Sequence, residues 1–160
     1  MKKNPKTQHQ NPLPLIALAV VIAAAAITLM PKKAATAEST GILIPVREIG
    51  TEADYFDYNA NGITVQALAV RASDDTIRLA LNTCQVCNGS PYAYFEQNGD
   101  WFICQNCGNR FASTEIGIVR GGCRPVPITE EIYTEQDGVI TIPASFLEES
   151  ASLFRNWKNF

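Results

Sequence analysis

Two pairs of cysteines constrain this chain more than any other feature of its sequence. Cys84 and Cys87 form one C-x-x-C pair, Cys104 and Cys107 form the other, and 16 residues separate the pairs. This spacing is typical of sites in which four thiolates hold one metal ion. Two cysteines three residues apart can present both sulfurs to a tetrahedral ion if the backbone turns tightly, and Gly108 permits such a turn. The spacing therefore predicts a metal site formed by these four cysteines.

The segment between the pairs predicts a β-hairpin. Asn98-Gly99 is a strong signal for a two-residue turn, and aromatic residues flank it on both sides. With this turn, Phe95 lies opposite Phe102. Ala93 then lies opposite Cys104. Such a hairpin returns the second cysteine pair to the first, and its aromatic side chains exclude water from an ion held between them.

A fifth cysteine, Cys123, follows two glycines. It is a candidate extra ligand, a redox partner or a spare thiol, and the odd number of cysteines excludes intramolecular disulfide pairing of all five. For the paired cysteines, three interpretations stay open: a metal tetrad, structural or exchanging disulfides, and thioredoxin-like catalysis. Exported cysteines commonly form disulfides, which counts against the metal tetrad, whereas the spacing of the pairs favours it.

The N-terminal part predicts export of the cysteine-rich part. Residues 13–30 carry no charge and are long enough to span the ~30 Å hydrocarbon layer as a helix, and the basic flank before them keeps the N-terminus on the cytoplasmic side. A cleaved signal peptide is the alternative, with Ala35-Thr36-Ala37 as the cleavage site. The predicted organisation is a cytoplasmic basic tail (1–12), a transmembrane anchor or signal segment (13–30), a linker (31–41) and an exported cysteine-rich domain (42–160). The uncleaved form is a single-pass protein of the cell membrane with this domain on the extracytoplasmic side.

The composition of the exported part narrows its chemistry. All 16 acidic residues lie at Glu38 or later, together with only eight of the 13 basic residues, so the domain is a poor partner for nucleic acid. The only histidine is His9, which leaves no imidazole for a blue-copper site or a histidine-ligated haem. Neither C-x-x-C pair is followed by histidine, which excludes c-type haem attachment. Soft-metal chemistry in this domain must use thiolate, and no pattern suggests a small organic substrate.

Turn and periodicity signals predict a mainly β fold. Asn61-Gly62 predicts a hairpin leading into a strand over Ile63–Val70, whose two mostly apolar faces indicate cover on both sides. A strand over Thr76–Leu81 leads into the first cysteine pair, and Asp137-Gly138 predicts a further hairpin. Pro143 opens a C-terminal helix whose apolar stripe predicts core packing. The predicted class is mainly β (α+β): a small β-rich domain with a zinc-ribbon or rubredoxin-like four-cysteine hairpin, a C-terminal helix, and an N-terminal transmembrane or signal helix.

Several short motifs lie together between residues 84 and 128. They are the two C-x-x-C pairs, the tyrosine and N-G turn between them, a Cys-Gly-x-x-Phe element, an Ile-Gly pair and a Gly-Gly-Cys-x-Pro-x-Pro element. In this set the chain resembles the FtrD-like family of membrane iron–sulfur proteins, over roughly residues 50–158. The matching positions are Cys84, Cys87, Tyr92, Cys104, Cys107, Gly108, Phe111, Ile116, Gly117, Gly121, Gly122, Cys123, Pro125 and Pro127.

The resemblance implies a membrane-tethered metal or iron–sulfur domain outside the cytoplasm. It implies an association with high-affinity iron uptake, beside a membrane permease and exported metal-binding proteins, and it makes Cys123 a candidate cofactor ligand. The expected cofactor is iron or an iron–sulfur cluster, with zinc as the alternative because four thiolates suit both. The expected function is non-enzymatic electron transfer or an accessory role in iron transport. The alternatives are a structural Zn(Cys)4 interaction module and a thiol–disulfide redox protein.

Overall fold

The computed structural model describes residues 40–118 and 120–160. Within these ranges the chain forms ten strands, one α-helix and three short 3-10 turns. The strands are β1 (Ile42–Pro45), β2 (Asp54–Ala60), β3 (Ile63–Arg71), β4 (Ile77–Cys84), β5 (Phe95–Asn98), β6 (Trp101–Cys104), β7 (Arg110–Ala112), β8 (Pro125–Pro127), β9 (Thr134–Gln136) and β10 (Val139–Ile142). The helix is α1 (Ala144–Ser150), and the 3-10 turns are Val46–Glu48, Ser113–Glu115 and Ala151–Phe154. The predicted mainly β class with a C-terminal helix is confirmed.

The predictions for the N-terminal part fall outside the described residues. These are the basic tail, the transmembrane or signal segment and nearly all of the linker, up to residue 39. Among residues 40–118 and 120–160, no helix combines the length and the apolar character that crossing a membrane requires.

An antiparallel sheet in the order β2-β3-β4-β8 forms the centre of the fold. Asn61 and Gly62 join β2 to β3 with positive φ angles of 53° and 91°, which confirms the predicted hairpin turn. Pro125 and Pro127 lie in β8 at the edge of the sheet, where the missing N–H of proline breaks no ladder.

Both faces of β3 are covered, as its apolar pattern predicts. Val65, Ala67 and Ala69 face one hydrophobic core, and Leu68 and Val70 face another. We call these the helix-side core and the cysteine-side core. The helix-side core consists of Ile42, Ile44, Ile49, Ala60, Val65, Ala67, Ala69, Leu79, Leu81, Ile128, Ile140, Ile142, Leu147, Ala151 and Phe154. The cysteine-side core consists of Leu68, Val70, Ala80, Cys84, Ala93, Phe95, Phe102, Cys104 and Ile116.

The helix-side core is closed by a second sheet and by the C-terminal helix. This sheet has the order β1-β10-β9, and Asp137 and Gly138 form its predicted hairpin turn with φ angles of 52° and 74°. Helix α1 follows Pro143 directly and is short, because the chain tightens into a 3-10 turn after Ser150. Leu147 and Phe154 are buried in this core, so the predicted packing role of the apolar stripe is confirmed.

The cysteine-side core is closed by a third sheet, β5-β6-β7, whose hairpin register differs from the prediction. Asn98 pairs with Trp101, so Gly99 and Asp100 form the turn, and Phe95 lies opposite Cys104 instead of Phe102. The predicted register was therefore wrong by two residues. A shift of two residues keeps every side chain on the same face, so Phe95 and Phe102 are still both buried.

Long-range contacts of Asp100 account for this register. Its carboxylate accepts a hydrogen bond from the Ser73 hydroxyl at 3.3 Å and another from the Ser113 hydroxyl. Its backbone carbonyl accepts from the Ser113 N–H at 2.8 Å. These contacts hold Asp100 at the tip of the hairpin, where a local turn signal would have placed Asn98.

Candidate metal centre

The first cysteine pair lies where the central sheet ends. Cys84 is the last residue of β4, and its N–H donates to the Ala93 carbonyl at 3.1 Å. The Cys87 N–H donates to the Cys84 sulfur at 3.3 Å, and the Ser90 N–H donates to the Cys87 carbonyl at 2.8 Å. This is the tight turn that two thiolate ligands three residues apart require. Its N–H···S bond lowers the electron density on the sulfur.

The second pair repeats this arrangement at the end of β6. Cys104 is the last residue of that strand, and its carbonyl accepts from the Gly108 N–H at 2.8 Å. Gly108 has a φ of +74°, which confirms that a glycine makes this turn possible. The backbone N–H groups of Cys107 and Asn106 oppose the rise that burial causes in the pKa of the Cys104 thiol. In both pairs, backbone N–H groups therefore act on the sulfur of the first cysteine.

The loop that carries Cys123 is held against the first pair by Gln85. The Gln85 N–H donates to the Arg124 carbonyl at 2.9 Å, and its side-chain amide donates to the Pro125 carbonyl at 3.0 Å. The side-chain oxygen of Gln85 accepts from the Gly121 N–H at 2.7 Å. Three hydrogen bonds thus fix both ends of this loop. Sequence reasoning missed Gln85, because no local pattern signals a contact with a loop 36 residues away.

The folded chain brings the sulfur atoms of all five cysteines together. The Cys123 Sγ lies 2.7 Å from that of Cys107, 3.1 Å from Cys84, 3.5 Å from Cys87 and 3.8 Å from Cys104. The sulfurs of Cys84, Cys87, Cys104 and Cys123 all lie within 4.8 Å of one another. The Cys107 sulfur lies at the edge of this group, in contact with those of Cys123, Cys104 and Cys87. The described residues include all five cysteines, and none of these forms a disulfide.

Burial of the five cysteines is graded across the site. Cys84 and Cys104 are fully buried, Cys87 and Cys123 are partly buried, and Cys107 is exposed. Burial raises the pKa of the Cys104 thiol to about 12, and it also raises the pKa of the Cys87 and Cys123 thiols. Burial acts in the same direction on Cys107, but contacts with Cys123, the Asn109 backbone, Cys104 and Cys87 together outweigh it and lower the pKa of Cys107. A bound cation would favour the thiolate form of its ligands in spite of burial.

Aromatic rings and a guanidinium group cover one side of the site. The rings of Phe95 and Phe111 meet edge to face with their centres 6.2 Å apart. The Arg124 guanidinium lies 4.8 Å from the centre of the Phe111 ring and 3.4 Å from the Glu115 carboxylate. Residues next to Cys123 are therefore packed onto the hairpin.

The C-terminal residues cover the loop that follows the first pair. The Asn156 side chain donates to the Gly89 carbonyl at 3.1 Å, and the Lys158 N–H donates to the Pro91 carbonyl at 2.9 Å. The Trp157 indole donates to the Asn82 carbonyl at 2.8 Å, two residues before Cys84. The apolar periodicity of the C-terminal helix predicted burial of Trp157 but not these polar contacts near the cysteines.

The donor set defines the chemistry open to this site. Thiolates are soft ligands that suit iron, iron–sulfur clusters and zinc. A tetrahedral ion with metal–sulfur bonds of ~2.3 Å has sulfur–sulfur edges of about 3.8 Å. The group of four sulfurs within 4.8 Å matches that size, so the residues present fit a thiolate-held metal.

Comparison with known proteins gives one family. The family described as membrane iron-sulfur containing protein FtrD-like matches residues 49–154, which is more than half of the chain and includes all five cysteines. The resemblance seen in the sequence motifs is thereby confirmed. No curated protein and no solved structure matches this chain.

Proposed function

The chain belongs to the FtrD-like family of membrane iron–sulfur containing proteins, and from this premise we propose that it is an iron-holding electron carrier of an iron transport system. The observation that carries the proposal is the convergence of four cysteine sulfurs within 4.8 Å of one another. The described residues include no histidine and no methionine, so the cysteine thiolates are the soft metal ligands among them. When bound to such a set, iron exchanges one electron at a time.

The surroundings of the sulfurs support an electron-transfer role. The cysteine-side core contributes Phe95, Phe102 and Ile116, which exclude water from the inner side of the site. A backbone N–H donates to the sulfur of Cys84, and backbone N–H groups of Cys107 and Asn106 favour the thiolate form of Cys104. Burial and N–H···S bonds are the main means by which proteins set the reduction potential of thiolate-ligated iron.

One edge of the site reaches the surface, as electron exchange with a partner requires. Cys107 is exposed, and Val86, between the two cysteines of the first pair, has 68% of its surface exposed. Nearby, Tyr92 and Phe160 have ring centres 5.2 Å apart and are also exposed. A partner could therefore approach the sulfurs without any opening of the domain.

The proposed location is the extracytoplasmic face of the cell membrane. This rests on the uncharged run at residues 13–30, the basic residues before it and the word membrane in the family description. The proposed partners are a membrane permease and exported metal-binding proteins. The iron that they handle would be the substrate that gains or loses the electron.

A structural zinc module is the second candidate function. It is favoured by the way the sulfurs join three separate segments, namely the ends of β4 and β6 and the loop at Cys123. A closed zinc site would hold these segments together and leave the surface to bind a partner.

Anaerobic purification of the full chain in detergent separates these functions. An iron centre is expected to absorb visible light, to bleach with dithionite and to yield iron in elemental analysis. Stoichiometric zinc with no visible absorption would contradict the electron carrier and support the structural module. A metal-free protein whose mass shifts only after reduction and alkylation would contradict both.

A further inference from the structure

We propose that Asn82 is a positioning residue of the metal centre, because its side chain joins the strand that carries Cys84 to the hairpin that carries Cys104. This inference rests on the proposed function and deepens it. It concerns the orientation of the two cysteine pairs toward each other, and it holds for a single ion and for an iron–sulfur cluster alike.

The side chain of Asn82 connects the two halves of the site. Asn82 lies on β4, two residues before Cys84, and is 1% exposed. Its side-chain oxygen accepts a hydrogen bond from the N–H of Phe95, which pairs with Cys104 in the hairpin, at 2.8 Å. A second bond lies beside it, since the Cys84 N–H donates to the Ala93 carbonyl at 3.1 Å. The end of β4 is therefore bound directly to the chain that enters the hairpin, opposite the second cysteine pair.

A row of polar side chains fixes which atom Asn82 presents to the hairpin. Asp57, Gln66 and Asn82 lie on β2, β3 and β4, in that order. The Gln66 amide donates to the Asp57 carboxylate at 2.6 Å, and the Asn82 amide donates to the Gln66 side-chain oxygen at 2.7 Å. An ionised carboxylate only accepts hydrogen bonds, so Gln66 turns its donor toward Asp57 and its oxygen toward Asn82. The oxygen of Asn82 is thereby left for the Phe95 N–H.

Side chains of the central sheet also hold the free edge of β5. This strand lies at the edge of its sheet, where backbone groups need partners from elsewhere. The Phe95 N–H bonds to Asn82, and the Phe95 carbonyl accepts from the Tyr55 hydroxyl at 3.4 Å. Further along β5, the Gln97 side-chain oxygen accepts from the Ala53 N–H. The hairpin is thus fixed to the sheet at several points by hydrogen bonds.

The direction of these hydrogen bonds gives them a role that apolar packing cannot fill. Phe95, Cys84 and Cys104 share the cysteine-side core, but hydrophobic burial is non-directional and does not fix how the hairpin lies on the sheet. A hydrogen bond weakens steeply when its atoms are misaligned. Loss of the Asn82 acceptor should therefore shift the hairpin and move the second cysteine pair relative to the first. Residues that orient metal ligands typically change metal affinity by about 10–100-fold when mutated.

The first test measures metal release to a chelator from the full chain, purified anaerobically in detergent. Asn82→Leu keeps a similar volume but lacks the acceptor, and it is expected to release metal at least about tenfold faster than the wild type. Thr83→Val is the matched control. Thr83 is fully buried beside Cys84, and among the described residues its hydroxyl has no hydrogen-bond partner. Thr83→Val is therefore expected to release metal at the wild-type rate.

The outcomes separate this inference from the proposed function. Equal release rates from Asn82→Leu and Thr83→Val would overturn the positioning role and leave the electron-carrier function standing. Zinc in place of iron would contradict the electron carrier, and the same release rates would still decide the positioning role. A wild-type chain without metal would overturn both.

A second pair of variants covers the case in which Asn82→Leu does not fold. Tyr55→Phe and Tyr58→Phe each remove one hydroxyl from β2, but the Tyr55 hydroxyl donates to Phe95 and the Tyr58 hydroxyl donates to Glu148 in α1. Only Tyr55→Phe is expected to release metal several times faster and, with iron bound, to change the visible spectrum. Equal effects of the two variants, or no effect of Tyr55→Phe, would show that hydrogen bonds to the hairpin do not position the site.

Discussion

The two cores on either side of the central sheet are built on different principles. The helix-side core contains 15 buried hydrophobic residues contributed by two sheets and a helix. The cysteine-side core contains nine, and two of these are the cysteines Cys84 and Cys104. Burial of apolar surface alone can stabilise the helix-side core, at about 25 cal/mol per Å² removed from water. The cysteine-side core buries less, and under the proposed function a metal held by its sulfurs would supply the remaining stability.

Strand β3 shows how one segment serves both cores. Its residues alternate, so that Val65 and Ala67 face the helix-side core and Leu68 and Val70 face the cysteine-side core. All four are fully buried. Because the sheet separates the cores, damage on one face is expected to leave the other face largely intact.

Removal of a buried ligand is expected to have the largest effect. Cys104→Ser should abolish metal binding and unfold the β5-β6-β7 sheet, since metal binding contributes roughly 10–16 kcal/mol in small zinc domains. Metal analysis and amide hydrogen exchange check this, with protection of β1 and β10 expected to persist. Stoichiometric metal in this variant would contradict the assigned role of Cys104. Val86→Ala, at an exposed position between the cysteines of the first pair, is the control and should retain metal and protection in both regions.

Large-to-small substitutions in the two cores are expected to have the next largest effect, and only one of them should also affect metal retention. Phe102→Ala in the cysteine-side core should lower the free energy of unfolding by about 3–5 kcal/mol, and Leu147→Ala in the helix-side core by about 2–5 kcal/mol. Only Phe102→Ala should also speed the loss of metal to a chelator. Urea unfolding and chelator kinetics measure the two effects. Equal acceleration by Leu147→Ala would show that the cores are not independent.

Substitution of Gly117, which lies against strand β4, is expected to have a smaller effect. Gly117 has a φ of +72°, and a Cβ at this position would lie 2.4 Å from the Leu79 carbonyl oxygen. Gly117→Ala should therefore cost about 1–3 kcal/mol in strain and displacement of β4. Gly62→Ala is the matched control, because Gly62 also has a positive φ but no atom within 4 Å of its Cβ position. Equal thermal shifts in the two variants would contradict the close contact with Leu79.

Loss of the Gln85 side chain is expected to have the smallest effect on stability. Gln85→Ala removes two hydrogen bonds to the Cys123 loop, each with a net contribution of about 0.5–1.5 kcal/mol. Metal should leave this variant several times faster when a chelator is added. Gln105 occupies the same place in the second pair, but within residues 40–118 and 120–160 its side chain donates to the nearby Ile103 carbonyl alone. Gln105→Ala should therefore release metal at the wild-type rate, and a similar acceleration would refute the positioning role of Gln85.

Turns that depend only on local residues were predicted well. The Asn61-Gly62 and Asp137-Gly138 turns were confirmed because asparagine, aspartate and glycine tolerate positive φ angles regardless of distant contacts. The Asn98-Gly99 turn was placed wrongly because Asp100 is held by Ser73 and Ser113, and the Ser73 contact comes from a distant segment. Strand β7 was missed because its pairing depends on the hairpin beside it.

The sequence by itself determined the mainly β class, the tight turns at both cysteine pairs and a donor set limited to thiolate, and its motifs identified the family. These properties follow from residue types and short spacings, which act within a few residues of the chain. Only the tertiary structure decided that the Cys123 sulfur lies among those of both cysteine pairs and that Cys107 is the exposed member of the cluster. This arrangement of the cysteines depends on contacts of Gln85 and of the third sheet, which join segments far apart in the chain. A local sequence pattern therefore could not predict it.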